Sequence, residues 1–197
     1  MTYKKRQIVF ATNNAHKLSE LRRIVGDRFD ILSLADIGCY EDIPETGLTL
    51  DENSRLKAAY VKSRYALDCF ADDTGLEVIA LGGAPGVHSA RYAPGIGHDS
   101  KANMELLLHN MKGVVDRRAR FRTVITLITD TIETTVEGIV EGHIAFEPAG
   151  IDGFGYDPIF IPERETRTFA QMTADEKNAV SHRGRATRAL LEVLNNM

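Results

Sequence analysis

Apolar positions along the chain change their period several times, and each change predicts an element. Residues 6–12 (RQIVFAT) form a short apolar run bounded by polar residues, which reads as a strand; from Asn14 to Val25, Leu18, Leu21 and Val25 fall on one helical stripe. Strand, tight turn and helix follow in that order. A second helix is predicted from Thr49, where Thr49-Leu-Asp-Glu52 fits a capping box, to about Leu67, with Leu56, Ala59, Tyr60, Ser63 and Leu67 recurring at intervals of three and four. After Cys69 the segment FADD reads as a short strand ending in acid, followed by the β-rich GLEVIAL. The glycines and prolines of GGAPGVHSARYAPGIG then exclude regular structure, and a loop of that length in a compact domain is usually functional.

Residues 99–111 place Met104, Leu107, Leu108 and Met111 on one helical face. From Arg120 to Phe146 the period becomes two, with Glu133, Thr135, Glu137, Glu141 and His143 alternating with Ile132, Val136, Val140 and Ile144. Two long paired antiparallel strands result, and Gly138 and Gly142 mark bends or bulges in the second. PIFIP supplies a further strand, Thr173 with Glu176 caps a helix, and a last helix from about Ser181 carries Ala186, Leu190, Leu191 and Leu194. Strands that alternate with helices early and pair as a hairpin later predict a mixed α/β fold: a twisted central sheet with flanking helices. With 197 residues, 43% of them hydrophobic, and no repeat or linker, the expected organisation is one folding unit over residues 1–197.

Composition removes several function classes. The start MTYKKRQIVFATNN lacks the apolar stretch and cleavage site of a signal peptide, and no apolar run approaches a membrane span, so the expectation is a cytoplasmic protein with no membrane partner. Cys39 and Cys69 stand alone, and His16, His88, His98, His109, His143 and His182 form no metal-ligand spacing, which argues against a disulfide or a zinc site. A net charge of −4 argues against nucleic acid as a partner. Charge is nevertheless segregated: residues 36–52 carry six acids (Asp36, Glu41, Asp42, Glu45, Asp51, Glu52) and no Lys or Arg, while residues 164–188 carry six Lys/Arg against three acids. These are two solvated faces, or an acidic patch for a divalent cation and a basic one for phosphates.

Four segments could carry chemistry. Thr12-Asn13-Asn14-Ala15-His16-Lys17 joins a strand to a helix, where helix N-terminal amides and a lysine favour an anion; capped turns of this kind also occur in proteins that bind nothing, and no GxxxxGK[ST] is present. Ala71-Asp72-Asp73-Thr74-Gly75 sets two carboxylates side by side, so that on a strand one faces a cleft and the other the scaffold. Magnesium, which takes one or two carboxylates plus waters and phosphate oxygens, would suit one of them together with an acid from 36–52; an ordinary Asp-rich turn is the alternative. In Gly153-Phe154-Gly155-Tyr156-Asp157-Pro158, glycines flank an aromatic on which a base could stack, or the aromatics belong to the core. Lys177 with Ser181-His182-Arg183-Gly184 offers donors to a phosphate or a purine 6-oxo group, or simply charge at a helix junction.

In order and spacing, TxNxxK, ETGLTxxENxxLKA at 45–58, ADDTGLxVxxLxGAPGVxSARY at 71–92, GFGYDPIF at 153–160 and TxxEKNxxSHRGxA at 173–186 resemble the inosine triphosphate pyrophosphatase family over nearly the whole chain. The resemblance implies two lobes around a cleft, a homodimer, and hydrolysis of ITP, dITP and XTP between the α and β phosphates. It implies that Thr12, Asn13, Asn14, Ala15, His16 and Lys17 cradle the triphosphate, and that Glu45 and Asp73 hold Mg2+, with Asp73 also the proton acceptor. Thr74 is expected to touch the substrate, Phe154 to stack on the base beside Gly155, Tyr156 and Asp157, and Lys177, His182 and Arg183 to meet phosphate and base edge. Rival readings are a pyrophosphatase for modified pyrimidine nucleotides and a nucleotide-sensing module without turnover.

Overall fold

A computed structural model describes residues 5–95 and 99–197; His98 and the last two residues of the predicted glycine- and proline-rich loop lie outside them. The chain divides into two compact units. The first gathers the chain up to Asp73 with Thr123–Gly138 and Arg183–Met197, and the second comprises Thr74–Arg122 and Ile139–His182.

In the first unit, strand β1 (Arg6–Phe10) runs parallel to both β2 (Phe29–Leu32) and β3 (Cys69–Val78), with Ile8 opposite Ile31 and Phe10 opposite Phe70. Helices α1 (Ala15–Val25), α2 (Leu50–Tyr65) and α5 (His182–Asn195) belong to this unit apart from the first residue of α5. The strands carry near-continuous apolar runs because both faces are covered. Ile8, Phe10 and Phe70 pack with Leu21 and Val25 of α1 and with Ala186, Leu190 and Leu191 of α5. The alternate residues Val9, Ala11, Cys69 and Ala71 pack with Ala58 and Val61 of α2. The period of two along β1 and β3 therefore sorts side chains toward α1 and α5 on one face and toward α2 on the other.

The second unit contains residues 74–78 of β3, 118–122 of β5 (Arg118–Ile128) and 139–144 of β6 (Glu133–Ile144). The two-residue β4 (Pro85–Gly86) pairs antiparallel with β3, and β7 (Phe160–Pro162) pairs antiparallel with β6, Gly142 lying opposite Pro162. Strand order along the sheet is β2-β1-β3-β5-β6-β7. A connection of four residues joins β5 to β6, closed by the Thr129 amide donating to the Ile132 carbonyl, as the predicted hairpin requires. Leu76, Phe121, Val140, Ile144, Phe160 and Phe169 form the core here, with Leu107 and Met111 from helix α3 (Ser100–Asn110) and its C-terminal end. Helix α4 (Ala174–Val180) starts at the expected capping box of Thr173 and Glu176.

Parallel and antiparallel pairs occur together, so the mixed α/β expectation holds. Three details differ. Strand β2 is absent from the sequence reading, being only four residues long with one buried side chain, Ile31. FADD is not a strand end: β3 continues for ten residues, so the acid pair sits mid-strand. Helix α2 starts at its predicted capping box but ends at Tyr65, and its buried face is Leu50, Asn53, Ser54, Lys57, Ala58 and Val61 rather than the stripe through Leu56, Ala59, Tyr60, Ser63 and Leu67. Leu56 is 41% and Leu67 38% exposed. The buried face is half polar because its polar side chains have partners there: Lys57 meets Asp73, Ser54 shares a hydrogen bond with Thr126, and Asn53 accepts from the Gly47 amide; hydrophobic periodicity cannot find a face of that composition.

Candidate active site

Asp72 and Asp73 are successive residues of β3, so their side chains point to opposite faces. Asp72 takes the face of α1 and α5: Lys17 of α1 places its Nζ 3.0 Å from Asp72 Oδ1, and Arg183 of α5 brings its Nε to 3.6 Å from Oδ2. Asp73 takes the face of α2, where Lys57 Nζ lies 3.6 Å away and also meets Glu45, just ahead of that helix, in a short ion pair. Four of these six charged groups are buried, Asp72 at 1% exposed, Asp73 at 8%, Lys57 at 7% and Arg183 at 3%, and Lys17 and Glu45 are half-buried. Arg183 is further paired with Glu20, one helical turn beyond Lys17 on α1.

This alternation of carboxylates sorts their proton affinities. Burial would raise Asp72, but Lys17, Arg183 and Lys57 together hold its carboxyl down at about 2. Burial dominates at Asp73 and pushes it above the usual carboxylate range, with Glu45 and Asp72 adding to the rise while Lys57 and Lys17 oppose it. For Lys57 burial would lower the ammonium, and Asp73, Asp72 and Glu45 more than reverse it. Lys17 is lowered, burial outweighing Asp72. Asp72 stays ionised because it faces two cations at once.

The turn before α1 is held by its own side chains. Thr12 Oγ1 accepts from the Asn14 amide at 3.1 Å, and Asn14 caps the helix by accepting from the Lys17 amide at 3.1 Å. Asn13, Asn14, Ala15 and His16 are exposed at this helix start, and Thr12 and Lys17 are half-buried. Amide groups of a first helical turn, beside a lysine, are suited to phosphate oxygens.

In the second unit, Phe154, Asp157 and Lys177 form one group. Asp157 Oδ2 accepts from the Phe154 amide at 2.7 Å and from Lys177 Nζ at 2.8 Å. The ammonium also lies 4.8 Å from the centre of the Phe154 ring and 5.9 Å from that of Phe169. The half-buried Phe154 is therefore tethered through its backbone and through a cation on its face. Gly153 has φ +80°, and a Cβ there would stand 2.3 Å from Asp157 Oδ2. Gly153→Ala is expected to displace Asp157 and loosen Phe154, costing roughly 1–3 kcal/mol of stability through backbone strain and steric conflict. Chemical denaturation checks the cost, and an unchanged midpoint would show that the tether is dispensable.

Other predicted site residues take up different surroundings. Tyr156 is a core residue whose hydroxyl donates to the Ser89 carbonyl at 2.9 Å. His182 is 3% exposed and stacks on Phe121, ring centres 4.4 Å apart. Thr74 and Gly155 are half-buried, Thr74 following Asp73 on β3. Lys57, Asp72 and Glu20 were not among the predicted site residues. For Lys57 and Asp72 a signal existed, since both lie within the segments quoted for the resemblance, one as a cation on a helix and the other as the second half of an acid pair; Glu20 carries none.

Among the described residues no group of three His, Cys, Asp or Glu side chains gathers to hold a metal ion. Glu45 and Asp73 nonetheless share one cation, the Lys57 ammonium. Two carboxylates turned toward one positive centre suit a hard divalent ion that keeps waters and substrate oxygens as its remaining ligands.

Residues 8–193 match the model of the Ham1 family. The chain is 52% identical to a dITP/XTP pyrophosphatase of Christiangramia forsetii, over 95% of this chain and 98% of that one. It is 53% identical to the dITP/XTP pyrophosphatase of Porphyromonas gingivalis, over 95% and 97%. Among solved structures it is similar to a HAM1 protein from Coxiella burnetii, with a TM-score of 0.89, 38% identity, and coverage of 98% of this chain and all of the other.

Proposed function

This chain belongs to the Ham1 family, and on that premise we propose that it hydrolyses the non-standard purine nucleoside triphosphates dITP, ITP and XTP to the monophosphate and pyrophosphate. The relatives named dITP/XTP pyrophosphatase support the substrate class. The observation that carries the chemistry is the acid pair on β3, each carboxylate turned to its own lysine: Asp72 to Lys17 and Asp73 to Lys57.

In this reading Glu45 and Asp73 hold Mg2+, which when bound would neutralise phosphate charge and make its water ligand more acidic. Asp73, with a carboxyl whose proton affinity burial has raised, accepts the proton of the attacking water. Lys17 and the amides from Thr12 onward take phosphate oxygens, and Lys57 and Arg183 meet the charge that grows on the leaving pyrophosphate. Asp72 reacts with nothing; it keeps Lys17 and Arg183 in place. In the second unit Phe154 offers its ring to the base, Asp157 and Lys177 hold that ring, and the donors of Lys177 and His182 favour a 6-oxo over a 6-amino group. An unpaired buried polar group costs about 1–3 kcal/mol, so discrimination against adenine is expected at roughly 10- to 100-fold in kcat/KM.

The test is product analysis with dITP, XTP, dATP and dTTP in magnesium. Rapid pyrophosphate release is expected from dITP and XTP, little from dATP or dTTP, and none once EDTA removes the metal. Orthophosphate as the product would move the cleavage to another bond, and preference for dTTP would transfer the protein to pyrimidine nucleotides.

A further inference from the structure

A divalent ion held by Glu45 and Asp73 would share those carboxylates with a cation that is already there. Lys57 Nζ makes a short ion pair with Glu45 and stands 3.6 Å from Asp73. Its side chain is 9% exposed, so this ammonium is committed to the two acids rather than to water. It cannot drift away easily. It leaves α2 from the buried face that also carries Asn53, Ser54, Ala58 and Val61, and the carboxylates opposite come from β3 and from the segment before the helix.

Two carboxylates carry two negative charges, and one ammonium neutralises half of them. A divalent ion on the same oxygens neutralises both and leaves Lys57 as a surplus positive charge beside it. Cations at such separations in a shielded site repel strongly. The lysine must then swing off the acids, and the partner that could receive it is an anion arriving at the same time, a polyphosphate.

We infer that Lys57 is a placeholder cation, which fills the metal position of the nucleotide-free protein and is exchanged for the divalent ion when a triphosphate arrives to take the lysine. This rests on the reading of Glu45 and Asp73 as the metal-holding pair, and it adds a coupling to it: metal and lysine compete without nucleotide and cooperate with it. The device keeps the buried Asp73 and the half-buried Glu45 compensated between turnovers, since leaving them bare would be costly. It also disfavours metal loading before substrate.

The experiment is titration of the nucleotide-free protein with Mn2+, reading the free ion by electron paramagnetic resonance. In Lys57→Met, Mn2+ is expected to bind about tenfold or more tightly than in the unsubstituted protein, a typical size for coupling between two sites. Lys57→Arg, which keeps the charge, is expected to bind Mn2+ as the unsubstituted protein does. With a non-hydrolysable triphosphate analogue present, the advantage of Lys57→Met is expected to vanish or reverse, a sign change that a merely structural lysine would not produce. Equal or weaker Mn2+ binding by nucleotide-free Lys57→Met overturns the exchange. Should that variant not fold, a magnesium- and analogue-bound crystal of the unsubstituted protein decides: Lys57 Nζ is expected to have left both carboxylates, and an ammonium still on them overturns the proposal. Glu45→Gln separates the two readings. If it abolishes Mn2+ binding while Lys57→Met fails to tighten it, the exchange alone is wrong; if it leaves Mn2+ binding untouched, the metal assignment falls and takes the exchange with it.

Discussion

Asp73→Asn is expected to lower turnover of dITP and XTP by about 10³-fold or more while leaving the protein at least as stable as before. The substitution keeps shape and size, so the loss is chemical. A positioned general base contributes roughly 10²- to 10⁴-fold, and an amide can neither accept the proton nor balance the charge of a divalent ion. Stability behaves differently because of where the fold has set this carboxyl. Burial raises its proton affinity above the ordinary value, ahead of all other influences. For an acid, a folded-state pKa above the unfolded one means that the fold binds the proton more readily, so the ionised side chain lowers stability at neutral pH and the penalty fades as pH falls through the raised value. The neutral asparagine removes that penalty, and Lys57 keeps Glu45 as its partner. Pyrophosphate release and thermal melts in metal-free buffer at neutral pH check both halves. Turnover within tenfold of the unsubstituted protein would dismiss Asp73 as the base, and a drop in melting temperature of many degrees would show that its main service is structural.

What the sequence reveals of this site, and what it hides, follow one physical rule. Strand β1, the helix after it, the β5–β6 hairpin and both capping boxes are legible because each repeats a pattern of local origin: apolar residues at a fixed period, or a Thr with a Glu three residues on. The opposed directions of Asp72 and Asp73 are legible for the same reason, since neighbours on any strand diverge. Strand β2 escapes notice because four residues with one buried side chain form no period. Helix α2 misleads for a deeper reason. Its inward face holds Asn53, Ser54 and Lys57, which an amphipathic reading assigns to solvent, and its outward face holds Leu56. A buried lysine is tolerated there because Glu45 and Asp73 compensate it, and neither is near it in sequence. The place where the hydrophobic pattern fails is thus the place where chemistry displaces packing. Tyr156 and His182 are both buried, Tyr156 in the core of the second unit and His182 stacked on Phe121, a packing that residue type alone does not reveal.

Asp72→Asn should reverse the profile of its neighbour, with stability collapsing first. The carboxylate is 1% exposed and lies between Lys17 and Arg183. An asparagine can still accept a hydrogen bond from either, but it brings no charge, so two shielded cations would lose the carboxylate between them, while Glu20 stays on Arg183. Removing one partner of a buried ion pair typically costs about 3–5 kcal/mol, a large part of the stability of an ordinary domain. The pH dependence supplies an independent signature. Asp72 is held at about 2 in the fold against an ordinary 3.8, so its contribution is complete above 3.8 and is lost as pH falls from there through about 2. That gap corresponds to roughly 2–3 kcal/mol. The unsubstituted protein is therefore expected to lose stability steeply across this acid window, and Asp72→Asn, weaker throughout, should show a flatter curve there because the titrating group is gone. Denaturant unfolding at a series of pH values from neutrality down to about 2 reads both. Parallel curves for the two proteins would mean that Asp72 is not the ionised anchor of Lys17 and Arg183, and a midpoint unchanged at neutral pH would mean that those two cations need no counter-charge at all.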